Sequence, residues 1–215
     1  MMLTRKHGTD IASQRMDELD VDTIIYALQI CGDTGAAVDL GCGVGTQGLR
    51  LATLGFKTVL IDLTPIEMTV LHVAGISELL PLSYLQKDVR ILKSTDLPAN
   101  ISICYSQRFI HYLTYAEATI LLKLFRRQMQ HCAKLFLSAS GLFSELGEDY
   151  QGKNMEVSRR FSHLSEIMSK RHSIYAPVCL YTEDDLVNLC NNASFSCDKV
   201  YQSVFGNIKG VFTAI

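Results

Sequence analysis

The sequence lacks the marks of several large protein classes. None of its 7 cysteines falls in a C-x-x-C pair and their number is odd, which argues against both a disulfide framework and a zinc site. They read instead as buried apolar thiols in a reducing compartment. Neither sign of charge is in excess: 20 Lys+Arg against 22 Asp+Glu leave a formal net charge of -2. Nothing in that balance draws the chain to nucleic acid or to an anionic membrane. The opening "MMLTRKHGTD" has no apolar core of a signal peptide, and no apolar run is long enough to span a bilayer. A soluble cytoplasmic protein is the expectation.

What is present fits one globular domain over residues 1–215, with 48% hydrophobic and 20% charged residues. Short apolar runs, "AAVDL", "KTVLIDL", "SYLQKDV", "ISICYS" and "AKLFLSAS", alternate with helix-like or loop segments. That alternation predicts an α/β fold with a parallel, doubly wound sheet covered on both faces. Helix starts are marked at Thr64-Pro65-Ile66-Glu67, at Thr114-Tyr115-Ala116-Glu117 ahead of a helix reaching about Cys132, and at Thr182-Glu183-Asp184-Asp185. An N-terminal helical segment is expected within 1–30. Between Gly141 and Ala176 the alternation breaks, and "MEVSRRFSHLSEIMSKRH" reads as a polar helix in an insertion after the fifth strand. The tail "SCDKVYQS…GNIKGVFTAI" predicts two final strands joined at Gly206-Asn207.

One stretch carries the chemistry. "VDLGCGVGTQG", Val38 to Gly48, packs four glycines behind the first apolar run. Gly43, Gly45 and Gly48 spell G-x-G-x-x-G, whereas Gly41, Gly43 and Gly45 spell G-x-G-x-G behind an acid. A glycine turn between a first parallel strand and a helix, here about Thr46 to Leu54 with Gly55 as its stop, lies where ligands of open α/β sheets bind. Charge separates the two readings. A pyrophosphate at the turn would meet the carboxylate of Asp39, while a cationic ligand such as S-adenosylmethionine is matched by it. Asp62, ending the second run, is placed to accept both hydroxyls of an adenosine ribose. Asp88, ending the third, is placed to accept from an adenine amino group, with the Val89 amide facing a ring nitrogen. A third acid at a third strand end favours the methyl donor over a nicotinamide dinucleotide.

In order and spacing, "VDLGCGVG", "LIDLTPIEM", "LQKDV" and "ICYSQRFIHYL" resemble the class I S-adenosylmethionine-dependent methyltransferases over about Ala36 to Gly141. The resemblance implies seven mostly parallel strands with the last antiparallel. It also implies that Asp39 reaches the methionine end of the cofactor, that Gly41, Gly43 and Gly45 form its backbone bed, and that Asp62 holds the ribose. By the same resemblance Leu63 would pack on the adenine and Asp88 and Val89 would read its edge, with Cys42 and Ser106 expected in the cofactor set. No Asp/Asn-Pro-Pro-Tyr/Phe stands at the fourth strand, where Tyr105-Ser106-Gln107-Arg108 is found, so amine methylation of nucleic acid is disfavoured. No ligand set for zinc or magnesium is apparent, and no metal is expected.

Displacement at a sulfonium needs alignment and desolvation more than a base. Where a base is needed, His111 is the candidate, with a packing role as its alternative. Arg108 and Tyr112 are the nearest partners for an acidic or aromatic acceptor. Arg159 and Arg160, on the same expected helix as Lys170 and Arg171, belong to a segment that either closes over the acceptor as a lid or decorates the surface. Two functions stand: a methyltransferase acting on an oxygen or nitrogen of a small molecule, or a cofactor-binding module acting through a protein partner. A nicotinamide-dependent oxidoreductase is the weaker third.

Overall fold

The computed structural model describes residues 16–30, 35–65 and 79–215. The sheet starts at β1 (Ala36–Leu40), and the chain adds β2 (Lys57–Asp62) and β3 (Leu82–Gln86) on one side of it. It then returns to add β4 (Ile101–Ser106) and β5 (Met129–Ser140) on the other, all five strands parallel. The final hairpin places β6 (Phe195–Gln202) at the edge and threads β7 (Asn207–Ala214) antiparallel between it and β5. The order is β3-β2-β1-β4-β5-β7-β6, the seven-stranded architecture expected from the sequence. Because the direction of addition reverses between β1 and β4, their carboxyl ends diverge into a crevice. The Ser106 hydroxyl spans it, donating to the Leu40 carbonyl at 2.9 Å.

Both faces are covered, which is why the strands read as continuous apolar runs. On one face Val38, Leu40 and Cys104 pack with Leu122 and Phe125 of α3 (Tyr115–Gln128) and with Leu186 and Leu189 of α5 (Glu183–Asn191). On the other, Ala37, Ile103, Tyr105 and Phe136 meet Leu19 and Ala27 of α1 (Glu18–Gln29) and Leu51 of α2 (Thr46–Thr53). The two anticipated capping boxes are formed: Thr114 with Glu117 opens α3 and Thr182 with Asp185 opens α5. The start expected at Thr64-Pro65-Ile66-Glu67 runs outside the described residues. Among those residues no helix is long and apolar enough to cross a membrane.

Two expectations are corrected. The helix taken to reach Cys132 stops at Gln128, because Met129 already pairs with Ile101 in the sheet. Cys132 then takes a left-handed φ of 65° as the register shifts. The polar helix expected over 155–172 is not one helix. Val157–Arg159 form a single 3-10 turn, Ser162 exchanges two backbone hydrogen bonds with Val178, and Ser165 caps the seven-residue α4 (Glu166–His172). Apolar residues hidden in the polar pattern explain the break: Leu146, Tyr150, Leu164, Met168, Ile174 and Leu180 form a satellite core of their own. Arg160 is buried at its margin, paired with Asp185 and donating to the Leu180 and Met155 carbonyls. It therefore shares no helix face with Lys170 and Arg171.

The amino end of α1 is tied to the carboxyl edge of the sheet. Asp17 and Asp20 form its capping box, and Tyr105 on β4 donates to Asp20 at 2.6 Å. Lys209 on β7, itself buried, reaches Asp17 at 2.7 Å and Glu18 at 2.6 Å. Burial raises the Asp20 carboxyl above its ordinary value, against the lowering effect of the Tyr105 hydrogen bond. A carboxyl raised in the folded state favours folding most below its unfolded pKa and loses that contribution as pH rises through the folded one. The stability of the native chain relative to Asp20→Asn should therefore increase as pH falls from neutral towards the ordinary aspartate value of about 3.9. Chemical denaturation across that range checks it, and a gap independent of pH would mean that Asp20 titrates normally.

Candidate active site

The glycine turn after β1 is left-handed at three alternate residues, with φ of 66° at Gly41, 56° at Gly43 and 83° at Gly45. Only glycine takes that conformation without penalty. Space adds a second constraint. A β-carbon on Gly41 would lie 2.3 Å from the Phe109 ring, and one on Gly45 would lie 2.7 Å from Leu60. Gly48 serves the packing of helix α2, where its β-carbon would lie 2.1 Å from Leu60, so its bare backbone lets α2 settle on β2. The two overlapping motifs thus describe one turn, in which the first three glycines shape the bed and the fourth sets the packing of the helix behind it.

Two carboxylates fix this turn. Asp39, buried at the end of β1, accepts from the Gly48 amide at 2.8 Å and so supplies the first turn of α2 with the cap that Gly45 has no side chain to provide. Asp62, ending β2, accepts from the Gly43 amide at 2.8 Å and, through its other oxygen, from the Thr64 amide at 2.8 Å. Leu63 beside it is half exposed at the strand end, and Cys42 lies buried within the turn. Asp88 caps the short 3-10 turn Val89–Ile91, with Val89 buried. The Arg90 guanidinium at 2.6 Å holds the Asp88 carboxyl below its ordinary value. Asp39, Asp62 and Asp88 therefore stand at three consecutive strand ends, as the sequence spacing placed them.

The opposite wall is the loop after β4. Arg108 there has φ 51° and donates its amide to the carbonyl and hydroxyl of Ser138 on β5, at 3.2 and 2.9 Å. Phe109 next to it lies over Gly41. His111 is 1% exposed on the following 3-10 turn, its ring 3.4 Å from both the amide and the hydroxyl of Ser140 and 4.1 Å from the Tyr112 ring. Its carbonyl accepts from the Cys179 amide at 2.8 Å. The structure thus brings His111 and Tyr112 against the segment 141–180, whereas Phe109, beside Arg108, faces the glycine turn. Arg159 is exposed on its 3-10 turn, and Arg160 is enclosed between Tyr150 and Asp185. Sequence reading missed the brace from α1, in which Gln107 and Lys209 converge on Asp17. The spacing Asp17-x-x-Asp20 is the one local signal that could have marked the start of α1, and its contacts with β4 and β7 leave no local trace.

A seven-stranded sheet with an antiparallel β7 and a left-handed glycine turn at the β1/β4 switch point is the class I S-adenosylmethionine-dependent methyltransferase fold. Solved structures with this fold match the chain. One is an S-adenosylmethionine-dependent methyltransferase from Clostridium acetobutylicum, at 11% identity over 94% of this chain and 94% of that one, TM-score 0.66. Another is magnesium protoporphyrin IX methyltransferase (ChlM) from Synechocystis with bound SAH, at 15% identity over 91% and 81%, TM-score 0.61. The pyocyanin biosynthetic protein PhzM matches at 15% identity over 91% of this chain, with a TM-score of 0.58, and the chain spans 55% of its length. Neither a protein-family model nor a curated protein matches the sequence.

The glycine geometry sets up a paired test. Gly55 also has a positive φ, 95°, but its β-carbon position is open. Gly55→Ala should cost about 1 to 2 kcal/mol from backbone strain alone. Gly41→Ala adds the Phe109 collision and should cost about 3 kcal/mol or more. Denaturant midpoints of the two variants measure the difference, and equal losses would remove Phe109 from the wall of the turn.

Proposed function

We propose that this protein transfers a methyl group from S-adenosylmethionine to an oxygen or nitrogen of a small molecule. The observation that carries the proposal is the glycine turn at the switch point, held between the Asp39 and Asp62 carboxylates. A dinucleotide would bring its pyrophosphate beside Asp39, whereas a sulfonium and an ammonium gain from that charge; Asp62 suits the ribose of either ligand. The residues fit the donor on their own geometry. Gly41, Gly43 and Gly45 keep the turn's backbone free of side chains of its own, Asp62 presents a carboxylate for ribose hydroxyls, and the half-exposed Leu63 offers an apolar surface for adenine. Asp88 and the Val89 amide serve its polar edge, and Ser106 keeps the floor closed through Leu40. ChlM, with the same fold, is described with bound SAH.

When bound, the donor supplies a methyl group already activated on a sulfonium. The protein's part is then to orient the acceptor and exclude water. The loop Arg108–Tyr112 and the satellite core over 142–180 form the wall at which an acceptor meets the turn. His111, bonded to Ser140 and enclosed, acts in this proposal by fixing that wall, and takes a proton only if the wall opens. Within the segment, Gly147 and Gly152 are packed against the backbone of Leu142 and Arg160, so their absent side chains permit close packing.

Asp62→Ala removes the charged acceptor for the ribose and should weaken S-adenosylhomocysteine binding by about 10- to 100-fold, roughly 1.5 to 3 kcal/mol. Isothermal calorimetry checks this, and an unchanged affinity would put the ribose elsewhere. Methyl transfer itself is read from mass spectrometry of small-molecule pools incubated with isotopically labelled donor. Labelled protein or nucleic acid in place of a small product would favour a macromolecular acceptor.

A further inference from the structure

We infer that Arg108 is the recognition residue for a ligand carboxylate at the β4 side of the crevice. The inference rests on the methyl-transfer reading for the ligands it names, though not for the existence of the site. Its first support is an unmet demand. The Nε of Arg108 is buried and has no hydrogen-bond partner among the described residues. Nor does any ion pair found there involve this side chain, whereas Arg50, Arg90, Arg160 and Arg171 all face carboxylates. Shielding part of a guanidinium from water with no acceptor leaves the desolvation of that donor uncompensated. Folded proteins rarely keep such a donor without a use for it.

The second support is independent. Arg108 has φ 51°, a left-handed conformation unfavourable for a side chain of this kind. It is pinned there by its own amide, which donates to both the carbonyl and the hydroxyl of Ser138. Strain held in place by tertiary contacts is a mark of functional sites. The position is informative too, because Phe109, the next residue, lies on Gly41 of the cofactor bed. Arg108 thus stands where the turn and an acceptor meet.

The chemistry follows from the donor geometry. Nε and a neighbouring Nη present two parallel N–H groups, the spacing of a carboxylate's two oxygens. A single negative charge is the better match than a phosphate dianion, because the nearby cation Lys209 is already neutralised by Asp17 and Glu18. That carboxylate has two sources, the methionine end of the donor or the acceptor itself.

Nitrogen-15 NMR of the arginine Nε–H resonances distinguishes them in the intact protein, the Arg108 signal being assigned by its loss in Arg108→Gln. If the donor supplies the carboxylate, S-adenosylhomocysteine shifts the signal, 5′-methylthioadenosine does not, and Arg108→Gln weakens only the former by about tenfold or more. If the acceptor supplies it, benzoate shifts the signal of the S-adenosylhomocysteine complex saturably, while benzamide does not. Arg108→Lys keeps the charge and loses the fork, and should behave as Arg108→Gln in either case. A signal that none of these ligands moves overturns the inference, as does an equal response to benzamide. Backbone amides of Gly43 and Asp62 report separately on the donor: if they too stay unmoved by S-adenosylhomocysteine, the methyl-transfer reading fails, and benzoate alone then decides Arg108.

Discussion

Backbone amides of a glycine turn, freed from helix and sheet, must find acceptors or ligands, because a buried unpaired N–H costs as much as a lost hydrogen bond. Asp39 and Asp62 meet that demand from two adjacent strands, one holding Gly48 and the other Gly43. The rest of the site depends on this pair of contacts. Without Asp39, the first turn of α2 has no cap, since Gly45 has no side chain to offer one. Without Asp62, Gly43 loses its tie to the end of β2. Glycine loses the most conformational entropy on ordering, so a turn with three left-handed glycines is rigid only when such acceptors are in place.

The facing wall is organised by a different force. Arg108, Phe109 and His111 follow β4 through backbone turns anchored on β5, and α1 closes the same edge through buried polar contacts. Tyr105 and Asp20, then Lys209 with Asp17 and Glu18, tie three segments distant in sequence. Lys209 is buried while its carboxylate partners reach the surface, so removing Asp17 or Glu18 would leave a buried charge less well compensated. The effect of these contacts is to fix one docking of α1 against β4, and so the place of the loop that carries Arg108.

Most of the fold was legible because it obeys local rules. Continuous apolar runs marked the strands, two capping boxes marked helix starts, and glycine spacing marked the turn. The three acids at strand ends were placed by the same logic. What escaped was set by contacts between distant parts of the chain. The segment 155–172 looked like a polar helix because its apolar residues, Leu164 and Met168 among them, were too sparse to show a stripe. They bury against Leu142 and Leu180, which a local window does not contain. Arg160, read as part of a lid or of a decorated surface, is buried on Asp185. Met129 to Cys132 carried a helical pattern, yet sheet pairing with β4 claimed Met129.

Competition between two ligands tests the central claim most directly, since both readings of the glycine turn survive in its sequence and only one suits its charge. Calorimetric titration of the purified protein should show S-adenosylmethionine and S-adenosylhomocysteine binding with micromolar dissociation constants, about -7 to -8 kcal/mol, and NAD far more weakly. Binding of NAD equal to or tighter than that of the methyl donor would contradict the assignment.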